Sequence, residues 1–260
     1  MADLLESIED GVAVLTLNRP EALNALSMDI RNGLLNAMDR YADDSNVRCI
    51  VITGAGRAFC SGGDVKGMGE RAQRGYEARA RGIQFSNSIP MAMRKHPKVI
   101  IAMVNGVAAG AGMSMALAAD LRVGGTSARF TTAFLKIGLS GDWGGTWTLT
   151  RLVGTAKARE LYLMPDMVSA EEALRLGIIN RMAPDEELRA TTMEIARRIA
   201  EMPQVAVNAV KRNLFAAETE SFATTLDLEA FNQARCSQTE DHREAVQAFK
   251  EKRKPVFKGQ

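Results

Sequence analysis

The sequence predicts an α/β fold in which apolar strands lead through glycine turns into helices, followed by a helical C-terminal part. Val99–Val104 is a short apolar, β-rich run that breaks at Asn105-Gly106, and from Gly110 the residues are small and helix-forming. Cys49–Thr53 repeats this order, because residues 59–66 bring two glycines and a polar, helix-compatible segment. From Glu186 onward the pattern is helical and is interrupted at Pro203.

Further elements follow from local patterns. Val12–Leu17 is predicted as the first strand, and apolar residues at helical spacing predict a helix over Asn24–Tyr41 with Ser27 as its N-cap. Residues 67–93 are rich in Arg and Gly and are predicted to be loosely helical and mobile. A capping-box pattern at Ser169 predicts a short helix. The other predicted elements are strands at Leu121–Val123, Ala128–Phe130 and Ile178–Met182, helices at 144–152 and 156–163, and an N-terminal cap at Asp241–Glu244.

Composition excludes several classes of protein. The 260 residues carry 33 basic and 31 acidic side chains, so the net charge of +2 gives no case for a nucleic-acid partner. Three widely spaced cysteines predict neither a disulfide framework nor a zinc site. The acidic first residues lack the pattern of a signal peptide, and the longest apolar runs are too short for a membrane span. We therefore expect a cytoplasmic protein without membrane partners.

The two glycine-rich turns are the candidate chemical features. The N-terminus of a helix has unpaired N–H groups and a partial positive charge, and residues 109–112 leave no side-chain bulk over it. Two such sources of amide N–H groups, facing one point, would form an oxyanion hole for an enolate or a tetrahedral oxyanion. Each turn alone is also typical of an ordinary connection after a strand.

Other uses of these turns fit the residues less well. A dinucleotide site after Val104 would need a third glycine where Met115 stands, and Asp120 comes too early to bind a ribose. A P-loop is excluded because no Gly-Lys-Ser/Thr follows either turn. His96 lies at the entry of a predicted strand and His242 at the charged start of a predicted helix. Neither position is a catalytic loop, which argues against a nucleophilic triad or a histidine metal site.

The chain resembles the enoyl-CoA hydratase/isomerase (crotonase) family from about Val12 to the C-terminal helices. The resemblance is carried by LNRPEALNAL, FCSGGDVK, VNGVAAGAG and KIGLSGDWGGTWTLTRLVG, in this order. It implies a crotonase-like ββα spiral core over residues 1–195, with the coenzyme A and acyl site, and a helical trimerisation subdomain over residues 196–260. It also implies a homotrimer or homohexamer that acts on an acyl-CoA and needs no further cofactor, because the coenzyme A thioester is the substrate.

The resemblance assigns roles to individual residues. The oxyanion amides fall on Gly63 and on Ala111, where glycine is more usual in the family. Lys258 matches a region that a neighbouring subunit often supplies to the nucleotide. The remaining residues implied in coenzyme A or acyl binding are Ala22, Ser61, Gly62, Asp64, Val65, Gly110 and Phe134.

The resemblance also shows where this chain departs from the hydratases. Ser114 and Phe134 stand where typical hydratases carry their two glutamates, and Asp142 is the acid that remains nearby. An aspartate at this position is the base in ring-1,2-epoxyphenylacetyl-CoA isomerases and some enoyl-CoA isomerases, the branch that this chain is most similar to. It is a nucleophile in 4-chlorobenzoyl-CoA dehalogenases. Asp142 could instead be the N-cap of the helix that follows it.

Mechanism favours isomerisation, because one carboxylate can remove a proton from one carbon and return it to another while two amides hold the enolate. Apolar neighbours such as Phe134 and Trp143 are expected to raise the pKa of Asp142. Three alternatives stay open: an enoyl-CoA hydratase, an acyl-CoA dehalogenase or hydrolase with an Asp142 nucleophile, and a non-catalytic coenzyme A-binding protein.

Overall fold

The computed structural model describes residues 2–64 and 75–260. Its larger sheet has six strands in the order β1-β2-β3-β5-β7-β10. Only the edge pair β1-β2 is antiparallel, and the other neighbours run parallel. These strands are β1 (Leu4–Glu9), β2 (Val12–Leu17), β3 (Cys49–Gly54), β5 (Val99–Val104), β7 (Leu121–Gly125) and β10 (Arg181–Ala183).

A second sheet has four very short strands in the order β4-β6-β8-β9. They are β4 (Ala58–Cys60), β6 (Val107–Ala109), β8 (Arg129–Thr131) and β9 (Val168–Ser169). The first three are parallel, and β9 pairs antiparallel with β8.

The described residues form nine α-helices. They are α1 (Met28–Asp43), α2 (Tyr76–Lys95), α3 (Ala111–Ala118), α4 (Gly145–Leu163), α5 (Ala170–Arg175), α6 (Leu188–Ala200), α7 (Gln204–Thr219), α8 (Phe222–Ser237) and α9 (Glu240–Glu251). Gly154 has non-helical backbone angles and divides α4 where the sequence predicts two helices.

The connections confirm the ββα spiral. The strand pairs β3-β4, β5-β6 and β7-β8 follow one another along the chain, and each pair gives one strand to each sheet. A doubly wound fold would place its parallel strands in a single sheet. The two glycine turns follow the carboxyl ends of β4 and β6. Because these strands are parallel neighbours in the second sheet, both turns lie at the same end of it.

The inner strands β2, β3 and β5 of the large sheet are buried on both faces. Alternate residues of β2 point to opposite sides, so Ala13, Leu15 and Leu17 belong to the main core with α1 and α3. Val12 and Val14 belong to a second core with the apolar side of α6. The predicted division after residue 195 falls within α6, and it stays a prediction.

Several predicted elements are placed differently. Leu4–Glu9 is a strand that the sequence analysis did not predict, and β10 begins at Arg181 rather than Ile178. The predicted cap at Asp241–Glu244 is wrong, because the Thr239 side chain accepts the capping hydrogen bond from the His242 N–H. The predicted mobile segment, residues 67–93, is regular helix from Tyr76, and its first eight residues lie outside the described part. None of the described helices combines the length and the apolar character that a membrane crossing needs.

Candidate active site

The segment between β2 and α1 is fastened to the first glycine turn by backbone hydrogen bonds. The Ser61 N–H donates to the Leu23 carbonyl over 2.9 Å, and the Leu26 N–H donates to the Gly62 carbonyl over 2.8 Å. The fully buried Asn24 side chain donates to the Ala55 and Ala58 carbonyls. The predicted coenzyme A segments therefore form one structural unit.

The first glycine turn lies directly against the beginning of α3. A Cβ atom built on Gly62 would stand 2.8 Å from the Ala109 carbonyl oxygen and 3.4 Å from the Ala111 nitrogen. Gly112 packs equally closely, because a Cβ atom there would stand 2.2 Å from the Cys60 carbonyl oxygen. The absence of side chains thus brings the backbones of Gly63 and Ala111, the two predicted oxyanion donors, to neighbouring positions.

Both amides are available as donors. Within the described part of the chain, no backbone oxygen accepts a hydrogen bond from the N–H of Gly63 or Ala111. Ala111 is the first residue of α3, where an N–H group has no partner inside the helix. An anionic oxygen placed between these amides would also meet the positive end of the helix dipole.

Gly62→Ala is expected to disrupt the close packing of the first glycine turn against the beginning of α3. Gly62 has φ +99° and Gly154 has φ +76°, but a Cβ atom at Gly154 meets nothing within 4 Å. Gly154 has ψ +163°, a conformation that is essentially restricted to glycine. Gly154→Ala is therefore the matched control and should cost about 1–3 kcal/mol from backbone strain alone. Gly62→Ala adds the collision with Ala109 and should cost at least about twice as much. Urea unfolding of both variants measures the difference, and equal losses would contradict the close approach.

Asp142 stands on a turn of unusual backbone conformation. Gly141, Trp143 and Gly144 have φ values of +108°, +57° and +68°. Positive φ is uncommon for a tryptophan, and such residues persist where the surrounding structure holds them. Here the Trp143 N–H donates to the Asn87 side-chain oxygen of α2 over 3.0 Å.

The structure does not support Asp142 as a helix cap. The N-cap of α4 is Gly144, and no side chain makes a capping hydrogen bond there. The Asp142 Oδ1 atom is buried and has no hydrogen-bond partner among the described residues. Asp142 therefore keeps one buried carboxylate oxygen that makes no hydrogen bond to the described residues.

Burial raises the pKa of the Asp142 carboxyl, and the positive charge of Arg31 opposes this with a smaller lowering effect. Arg31 comes from α1, is nine-tenths buried and donates to the Ser86 hydroxyl over 3.0 Å. A carboxylate with a raised pKa is a stronger base. Cys60, which directly precedes the first glycine turn, has its pKa raised to about 12 by burial, so its thiol stays protonated and is unsuited to act as a nucleophile.

Asp142→Asn is expected to stabilise the fold above the pKa of an unfolded aspartate, about 3.9. A raised folded-state pKa means that the charged carboxylate destabilises the protein at neutral pH, and asparagine removes that charge. We expect the melting temperature at pH 7 to rise. The difference should vanish only well below pH 3.9, where the carboxyl is protonated in both the folded and the unfolded state. Calorimetric scans across this pH range would contradict the assignment if the variant melted lower at pH 7.

Ser114 and Phe134, which the resemblance aligns with the two glutamates of typical hydratases, lie beside the Asp142 turn. The Phe134 ring stands 3.7 Å from a Cβ atom built on Gly110 and 3.4 Å from one built on Gly141. It therefore lies between the Asp142 turn and the beginning of α3, which we call the oxyanion helix because Ala111 is a predicted oxyanion donor. Ser114 lies one turn after Ala111 and donates to the Gly110 carbonyl over 3.2 Å. Tyr162, which the sequence analysis did not single out, contacts the same turn.

Other predicted binding residues are distributed unevenly. The Ser61 hydroxyl donates to the Ala22 carbonyl over 3.3 Å, which keeps these two residues together. The Asp64 carboxylate forms an ion pair with the Arg19 guanidinium, with 2.8 Å between Oδ2 and Nη1. Lys258 and Arg48 line the same cavity. Arg48 directly precedes β3, whereas the first glycine turn comes after the other end of that strand. Val65 lies outside the described residues.

Comparisons with known proteins identify the family. The sequence model of the enoyl-CoA hydratase/isomerase family matches residues 7–260. The chain is 39% identical to the 1,2-epoxyphenylacetyl-CoA isomerase of Escherichia coli K12, over 100% of this chain and 99% of that protein. It is 36% identical to the short-chain-enoyl-CoA hydratase of Clostridium acetobutylicum, over 95% of this chain and 94% of that protein. The crystal structure of an enoyl-CoA hydratase from Bacillus anthracis superposes with a TM-score of 0.94 at 31% identity, over 99% of this chain and 100% of that one. The chain is therefore an enzyme of the enoyl-CoA hydratase/isomerase family, with the crotonase fold.

Proposed function

We propose that this enzyme moves a carbon–carbon double bond within an enoyl-CoA thioester. Asp142 is the acid–base group, and the amides of Gly63 and Ala111 hold the thioester oxygen. The observation that carries this proposal is the buried Asp142 oxygen without a hydrogen-bond partner among the described residues, on a turn that Ser114 and Phe134 connect to the beginning of α3.

The chemistry needs one proton to move between two carbons. Asp142 removes a proton from the α-carbon of a 3-enoyl thioester, and the electron pair shifts so that negative charge gathers on the thioester oxygen. The two amides stabilise this oxygen as the charge develops. The protonated Asp142 then returns its proton to the γ-carbon, which leaves the double bond between the α- and β-carbons and restores the carboxylate.

Hydration of a 2-enoyl-CoA is the second candidate, and the similarity to the Clostridium hydratase favours it. Addition of water needs one group to activate the water and another to protonate the α-carbon. The two positions that carry glutamates in typical hydratases hold Ser114 and Phe134 here, and neither side chain can serve as that second acid. Isomerisation therefore fits these residues better.

Mass spectrometry in D2O separates these candidates. The purified enzyme is incubated with 3-enoyl- and 2-enoyl-CoA thioesters of several chain lengths, including aromatic acyl groups. Deuterium incorporation together with a moved double bond is expected. A mass gain of one water would instead show a hydratase, and a covalent acyl adduct on Asp142 would show nucleophilic catalysis.

Assembly and nucleotide binding are part of the proposal. We infer that the chain forms a homotrimer or homohexamer in which Lys258 of one subunit reaches the coenzyme A of a neighbour. Large apolar side chains on the C-terminal helices are exposed in the single chain, among them Leu214 at 62%, Phe222 at 79% and Phe249 at 85%. Light scattering after size exclusion gives the mass of the assembly, and a monomer would overturn this part.

A further inference from the structure

Tyr162 links the turn that carries Asp142 to the helix that begins at Ala111. Its ring lies 3.3 Å from a Cβ atom built on Gly141, and its hydroxyl lies 2.5 Å from one built on Gly145. The same tyrosine thus contacts the chain before and after Asp142. The Gly145 N–H donates to the Asp142 carbonyl over 3.2 Å. The residue that the Tyr162 hydroxyl approaches is therefore itself hydrogen-bonded to the backbone of Asp142.

Ser114 approaches the turn from the other side. Its hydroxyl stands 2.3 Å from the Cβ atom built on Gly145, the same point that the Tyr162 hydroxyl approaches. The two hydroxyls therefore share the space that a side chain at position 145 would fill. Because Ser114 belongs to α3, this pair joins the oxyanion helix to the turn of the acid–base residue.

The backbone around Tyr162 is fastened to the same region. The Thr132 hydroxyl donates to the Leu161 carbonyl over 2.8 Å, and the Gly110 N–H donates to the Thr131 carbonyl over 3.0 Å. The residue before Tyr162 and the residue before Ala111 are therefore tied to consecutive positions at the end of β8. The phenol is placed by a rigid frame that also holds one oxyanion amide.

We propose that Tyr162 is a positioning residue that, together with Ser114, fixes the carboxylate of Asp142 relative to the amide of Ala111. The inference rests on the proposed role of Asp142 in enolate chemistry. The phenol stays neutral because burial and the charge of Asp142 raise its pKa to about 12. It is therefore a polar neighbour of the carboxylate rather than a second base.

Tyr162→Phe tests this proposal, because it removes the hydroxyl and keeps the ring against Gly141. We expect kcat for α-proton exchange in D2O to fall about 10- to 100-fold with KM within twofold of the wild type, since the binding contacts stay and only the alignment changes. The acid limb of the kcat profile should move to higher pH, because a carboxylate that loses a polar neighbour binds its proton more tightly. Tyr76→Phe is the matched control, since Tyr76 is 87% exposed.

Ser114→Ala supplies an independent variant that does not depend on the folding of Tyr162→Phe. It should lower kcat by a similar factor, and the double variant should be no worse than either single one because the two hydroxyls act as a pair. Wild-type kcat and an unmoved pH profile in both single variants, with Asp142→Asn inactive, would overturn the positioning role alone. Retained exchange in Asp142→Asn would instead overturn the proposed function.

Discussion

Asp142→Asn is expected to lower kcat for the double-bond shift by about 10²- to 10⁴-fold, the contribution of a positioned acid–base group. Asparagine keeps the shape of the side chain but cannot accept and return a proton. KM should change little, because the predicted coenzyme A contacts at Ala22 and Ser61 belong to a separate hydrogen-bonded unit. Absorbance of the conjugated thioester, followed under saturating 3-enoyl-CoA, gives kcat directly.

The same substitution on the surface supplies the control. Asp227 lies on α8 and is exposed, so Asp227→Asn changes the net charge equally without touching the turn. It should retain wild-type turnover. The variant Asp142→Asn should also melt no lower than the wild type, so that lost activity cannot be ascribed to unfolding. A turnover within a few fold of the wild type in Asp142→Asn would sink the assignment of Asp142 as the base.

The sequence locates the candidate site where the signal is local. A strand followed by glycines marks both glycine turns, and the amide groups proposed as donors need no particular side chain. Their convergence is not local, because it depends on β4 and β6 pairing in the second sheet. These strands are three residues long and carry no usable periodicity. The Cys60 carbonyl lies against Gly112 and leaves no room for a side chain there. This requirement follows from the tertiary structure and could not be predicted from the local sequence.

Two other elements show different reasons for a missed prediction. The edge strand Leu4–Glu9 is mostly exposed, so its burial pattern is weak. The dipeptide Asp10-Gly11, with both residues at positive φ, is the hairpin signal that could have revealed it. Tyr162 lies twenty residues after Asp142 on a long helix, and only the folding of α4 back toward its own beginning, across the break at Gly154, brings the two together.

The interpretation of Asp142 as a helix cap is wrong because tertiary contacts override a local preference. Aspartate before a helix is a favoured cap, and the local pattern therefore permitted that interpretation. In the structure a left-handed Gly144 occupies the N-cap position, and the carboxylate is left without a capping bond. Tertiary contacts from Asn87 and Tyr162 hold this arrangement, and none of them is visible in the nearby sequence.

Ala111→Pro is expected to lower kcat about 10²- to 10³-fold by removing one oxyanion donor. Proline has no N–H, yet the first residue of a helix is the position that tolerates it best. Gly110, which precedes it, has φ +52° and ψ −123°, and glycine adopts such a conformation without strain. The substitution should therefore remove a hydrogen bond to the enolate oxygen while α3 stays folded.

Glu240→Pro is the matched control, because Glu240 is the exposed first residue of α9 and lies outside the site. Both proline variants should keep the wild-type circular dichroism and melt within a few degrees of the wild type, and only Ala111→Pro should lose turnover. Isomerisation and α-proton exchange should fall together in that variant, since both pass through the same enolate. If Ala111→Pro folds and keeps wild-type kcat, the Ala111 amide does not bind the thioester oxygen, and the oxyanion hole must be built from Gly63 with another donor.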